Sequence, residues 1–167
     1  MHKLMSFLST VLEKILMFAM AAIVVTVTWQ VFSRFIIQSP SSFTEELSRF
    51  LLIWIGVLGS AYAYNTKAHL GLDLFVEKMV PAKQAKVRIL IEVLVMIFAG
   101  GVMVYGGALL VAMTVELKQT SAALGLNMGI IYSAVPISGA LILLFCLDNI
   151  NQLLKSATDE TTVKGEL

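Results

Sequence analysis

Arg34, Glu45, Glu46, Arg49, His69 and Asp73 interrupt one of the most apolar parts of this 167-residue chain, with Pro40 and Trp54 set between them. Carboxylates, guanidinium groups and imidazole are the side chains that pair, move protons or hold metals. Beside membrane-spanning sequence, each such charge costs free energy unless it pairs, lines a cavity or reaches the interface. Glu45 and Arg49 are four apart and Glu46 and Arg49 three apart, so on a helix all three occupy neighbouring faces, and Arg34 arrives at the same level from the preceding run. Two readings stand. One is a snorkelling interfacial network worth about 0.5 kcal/mol per pair. The other is a docking site in which partly buried charges fix the register of a partner. His69 and Asp73, again four apart, can clip a loop to the helices, but two such groups do not make a metal site.

Other chemistry is sparse. The two histidines, His2 and His69, lie at the terminus and at a span end, so they cannot supply paired mid-membrane haem ligands. No zinc spacing, nucleophile elbow or glycine-rich phosphate loop is present. Neither an enzyme nor a cofactor or metal is expected. Glu92 is the acid set deepest in an apolar run, a placement similar to the coupling acid of small multidrug-resistance antiporters. It follows Arg88 by one turn, so an i,i+4 pair near the cytoplasmic interface explains it without transport. Cys146 has no disulfide partner and reads as a small packing residue.

The elements that must carry these residues are membrane spans. With 58% hydrophobic residues, 14% charged residues and a mean hydropathy of +0.87, the chain is an integral membrane protein. Its long unbroken apolar runs exclude a β-barrel, which alternates over strands of about 10 residues. A net charge of +1 gives no general attraction to nucleic acid. Four transmembrane helices are expected in one bundle over residues 1–155, with a polar, flexible tail over 156–167. The first covers the uncharged run between Lys14 and Arg34; it extends too far past Ala19-Met20-Ala21 for a cleaved signal, so it is read as a retained anchor. The second covers about 50–64, with a helix that starts earlier because Ser42 and Glu45 have capping-box spacing. The third covers about 87–115 and is long enough to tilt. The fourth covers about 128–147, and Pro136 should kink it.

Lysine and arginine in the flanks divide nine against three, which places both termini and the central loop in the cytoplasm. Within that loop Leu72, Phe75, Val76 and Met79 recur at helical spacing, so a short amphipathic interfacial helix is expected there, with Pro81 either ending it or starting the next helix; a plain capping loop is the alternative. Gly56 with Ser60, and Gly59 with Ala63, form small faces on span two, and Gly100 and Gly107 share a face of span three. Such faces pack within a chain or receive helices of another subunit. Trp54 lies deeper than an interfacial tryptophan, and its indole N–H calls for a partner.

Taken together, Arg34, the Pro40 turn, Glu45 and Glu46 followed by Arg49, Trp54, and then His69 and Asp73 resemble the small membrane subunit of tripartite ATP-independent periplasmic (TRAP) transporters, the DctQ-like family. The resemblance extends over about 12–154, with the segment around Pro136 similar to that family's last helix. Phe43 departs from it, standing where tryptophan is common. The resemblance implies a stable heterodimer with a large multi-span subunit that carries sodium and substrate sites and moves as an elevator. It also implies a periplasmic binding protein as transient partner and lipids at the subunit seam. The substrates implied are organic acids, C4-dicarboxylates or sialic acids, with a sialic-acid system the individual expectation, and the location is the bacterial inner membrane. The residues carried over for partner binding are Arg34, Glu45, Glu46, Arg49, Trp54, Gly56, Ser60, His69 and Asp73. The alternative is a stand-alone homodimeric proton-coupled transporter that uses Glu92.

Overall fold

The computed structural model describes residues 2–66 and 81–164. His69, Asp73 and the expected surface helix near residues 72–79 lie outside the described residues. The elements are α1 (His2–Phe35), α2 (Ser42–Asn65), α3 (Pro81–Phe98), a π-helical segment π1 (Ala99–Gly106), α4 (Gly107–Glu116), α5 (Met128–Tyr132) and α6 (Ala134–Lys164). They supply four helices long and apolar enough to cross a membrane, over Met5–Phe35, Ser42–Asn65, Val87–Glu116 and Met128–Gln152. The fold is therefore that of an all-α, multi-pass membrane protein.

The spans do not close into a bundle. Span one packs on span two, span two on span four and span four on span three, while among the described residues spans one and three make no contact. The result is an open layer in the order one, two, four, three. Burial follows from that order: 39% of the apolar window of span four is buried, against 17% for span two, 6% for span three and none for span one. Leu58 and Ala61 of span two meet Ile142, Phe145 and Cys146 of span four at the centre, and the Ser138 hydroxyl donates to the Val57 carbonyl at 2.6 Å.

Span three joins span four through glycines. A Cβ at Gly107 would stand 2.9 Å from Pro136 Cδ and 3.1 Å from its nitrogen, and one at Gly139 would stand 2.6 Å from Met103 Cβ. Val95, Ala99, Met103, Gly107 and Val111 follow one another at four-residue steps, and an α-helix carries such a stripe about 40° round its axis per step. The wider i→i+5 turns of π1 absorb that drift, so both ends of span three face the same partner.

Local starts and stops differ from expectation by small amounts with clear causes. The N-cap of α2 is Ser41, whose hydroxyl accepts from the Thr44 amide at 3.5 Å, so Ser42 and Glu45 form no capping box. Span four is interrupted at Ser133, three residues before Pro136. Pro136 thus falls in the first turn of α6, where a missing N–H costs little. The helix runs on to Lys164, beyond residue 155 where the tail was expected to begin.

Rigid atoms oppose any side chain at Gly107, whereas nothing lies within 4 Å of a Cβ at Gly56. Gly107→Val should therefore destabilise the chain by about 1–3 kcal/mol, read as a lowered thermal midpoint in detergent. Gly56→Val should leave that midpoint unchanged.

Candidate functional site

Two polar clusters, one at each end of the layer, hold most of the charged chemistry. At the end away from the termini, Glu46 reaches across to the 117–127 connection between spans three and four. Its Oε2 accepts from the amides of Ala123 at 2.7 Å and Leu124 at 3.0 Å. That connection turns through Lys118 and Gly125, whose φ angles are 49° and 64°. An isolated antiparallel bridge between Thr120 and Asn127 closes it. Asn127 then caps α5 by accepting from the Gly129 amide at 2.8 Å. The backbone amides at the loop tip have no ladder partner, and the carboxylate supplies one.

Glu45 and Arg49 pair at 3.3 Å along the exposed face of α2. An exposed i,i+4 pair contributes about 0.3–0.5 kcal/mol, so the pair adds little to stability. Arg34 is exposed and joins neither glutamate; among the described residues Glu45–Arg49 is the one ion pair. The expected four-residue network is thus two separate arrangements, with Arg34 outside both. Trp54 is half-buried against the core, and among the described residues its indole N–H has no hydrogen-bond partner. Gly56 and Ser60 are exposed, so among the described residues no helix of this chain packs on that small face of span two.

At the end of the termini, Glu92 links three spans. Tyr64 of α2 donates to one carboxylate oxygen, and Asn149 Nδ2 of α6 donates to the other at 3.1 Å. The Tyr64 hydroxyl also lies 2.9 Å from the buried Cys146 sulfur. The expected Arg88–Glu92 ion pair is absent, because two neutral donors on facing helices already occupy the carboxylate. Span one is tied in at the same level, where Asn65 Nδ2 donates to Ser9 Oγ at 2.9 Å. Tyr64 and Asn149 were missed in the sequence because neither stands out by type. Both close their spans at the level of Glu92, which was the available signal. Among the described residues no three His, Cys, Asp or Glu stand together as a metal site.

Polar groups gathered at the two ends of an open helical layer, around an apolar middle, mark a multi-pass membrane protein. The chain belongs to the DctQ component family of tripartite ATP-independent periplasmic transporters, whose pattern matches residues 23–156. It is thus a TRAP-type small permease component. It is 29% identical over 87 residues to the sialic acid TRAP transporter small permease protein SiaQ of Vibrio cholerae, covering 52% of this chain and 50% of that protein. The match thus spans about half the length of that relative. It is 28% identical over 142 residues to a Haemophilus influenzae chain assigned as a TRAP transporter small permease protein, covering 85% of this chain and 86% of that one.

Two outcomes follow from the clusters. Glu46→Gln should speed hydrogen exchange at the Ala123 and Leu124 amides, measured by exchange mass spectrometry, while Glu45→Gln leaves those amides unchanged. Tyr64→Phe should cost about 1 kcal/mol of thermal stability, and a double-mutant cycle with Glu92→Gln should show the two losses to be non-additive.

Proposed function

We propose that this chain is the static scaffold of a sodium-coupled TRAP transporter, holding the large elevator-type membrane subunit in place in the bacterial inner membrane with both termini cytoplasmic. The observation that carries the reading is the open layer: a span with none of its apolar window buried, beside a small-residue face on span two with nothing against it. In lipid, helices associate by close packing of small residues, so Gly56 and Ser60 are where a partner helix approaches. Arg34 and Arg49 face that partner at the periplasmic end, joined there by Glu45 and by Glu46 through the loop it steadies. Trp54, on the side of α2 turned toward span one, borders that contact in mid-membrane, and His69 and Asp73 serve it at the cytoplasmic end. Lipids fill the remaining seam.

The Vibrio cholerae relative is a sialic acid system's subunit, which supports an organic acid of that class as the cargo. The large subunit holds that cargo, and a periplasmic binding protein delivers it transiently. A moving domain needs a stationary reference in the bilayer, and an open frame anchored at both interfaces supplies one. Proton transport through Glu92 is the weaker reading, because both oxygens of that carboxylate are taken by donors that join the spans.

Ser60→Trp should sharply reduce the large subunit recovered with the tagged chain and reduce organic-acid uptake in proportion, with the thermal midpoint of the chain unchanged. Arg49→Glu should weaken recovery to a smaller degree. Full recovery and uptake in both variants would overturn the scaffold reading.

A further inference from the structure

Between α1 and α2 an apolar groove of about 430 Å³ runs along the half of the layer nearer the termini, lined by Ile15, Phe18 and Ala19 on one side and Leu51, Trp54 and Ile55 on the other. Its single charged lining residue is Lys14, at the end toward the N-terminus. The Asn65–Ser9 hydrogen bond marks the end of span two, and Lys14 lies five residues, or about 7.5 Å, inside that level. A lysine at that depth snorkels its ammonium to the headgroup region while its stem stays in the groove. Among the described residues no carboxylate pairs with Lys14.

We propose that this groove is a binding site for an anionic glycerophospholipid, with one acyl chain laid along the groove and the phosphate on the Lys14 ammonium. The lining selects a lipid over a protein helix. Helices that meet in membranes do so over small residues, whereas this groove is lined mostly by large side chains, Ile15, Phe18, Leu51, Trp54 and Ile55, a surface that suits a flexible acyl chain better than a closely packed helix. The small face of α2, at Gly56 and Ser60, points elsewhere, so the lipid and a partner helix occupy different sides of the same span. Charge complementarity at the mouth then favours a net negative headgroup over a zwitterionic one. The site stands apart from the scaffold role, since it needs no second subunit.

Native mass spectrometry tests it. The chain, purified in mild detergent with its companions and delipidated, is titrated with phosphatidylglycerol or with phosphatidylethanolamine of the same acyl chains. The expected result is a preference for phosphatidylglycerol of about fivefold, the scale of one lysine near an anionic surface. Lys14→Gln should abolish that preference, and Ala19→Trp, which fills the groove, should abolish binding of both lipids. Equal binding of both lipids to the unaltered chain, or a preference that survives Lys14→Gln, would overturn the proposal. A photo-crosslinker at position 19 distinguishes the occupants: lipid adducts support the site, and adducts to another protein overturn it.

Discussion

The hydrocarbon core offers no water to hydrogen-bonding groups, and the arrangement of this chain follows from that lack. Within the spans, hydroxyls turn back onto their own helices, as Thr26 does to the Ala22 carbonyl and Thr114 to the Leu110 carbonyl. Ser138 crosses to Val57, and Glu92 is met by Tyr64 and Asn149. Among the described residues no buried side-chain nitrogen or oxygen is left without a partner. The charged side chains that make hydrogen bonds thereby gather at the two ends of the layer, and the middle is held by packing and by hydroxyls that bond to backbone carbonyls.

Packing in that middle is uneven, and the unevenness carries the functional argument. Spans three and four approach through Gly107 and Gly139 so closely that their backbones almost touch, and the π-helical turns keep one stripe of span three aimed at span four. Span two completes the other side of span four. Span one then has a single substantial neighbour, and its outer surface, with Phe18, Val25 and Phe35 all exposed, belongs to lipid or to another chain. An apolar frame with tied ends is suited to hold something still.

Hydropathy made the number and places of the four spans legible, because apolar length decides whether a helix crosses the bilayer, although span one starts at Met5, about ten residues before the uncharged run. The order of the spans was not legible, since lipid-facing and helix-facing surfaces are equally apolar. That one unknown accounts for most of the differences. Glu92 was read against Arg88, its neighbour in sequence, when its partners come from spans two and four. Glu46 was grouped with Arg49, when its strongest contacts are amides some 77 and 78 positions away. The break expected from Pro136 falls at Ser133, in the preceding turn, where the proline lacks an N–H for the Tyr132 carbonyl. The family resemblance, resting on the residues from Arg34 to Asp73 and the segment around Pro136, pointed to the right class of protein even though the described members of that set do not form one cluster.

The most direct test is the native mass of the complex released from host membranes by mild detergent with this chain tagged at its C-terminus. The scaffold account predicts one copy of this chain with one copy of a single large multi-span protein. A species built only from copies of this chain, with no companion, would contradict it.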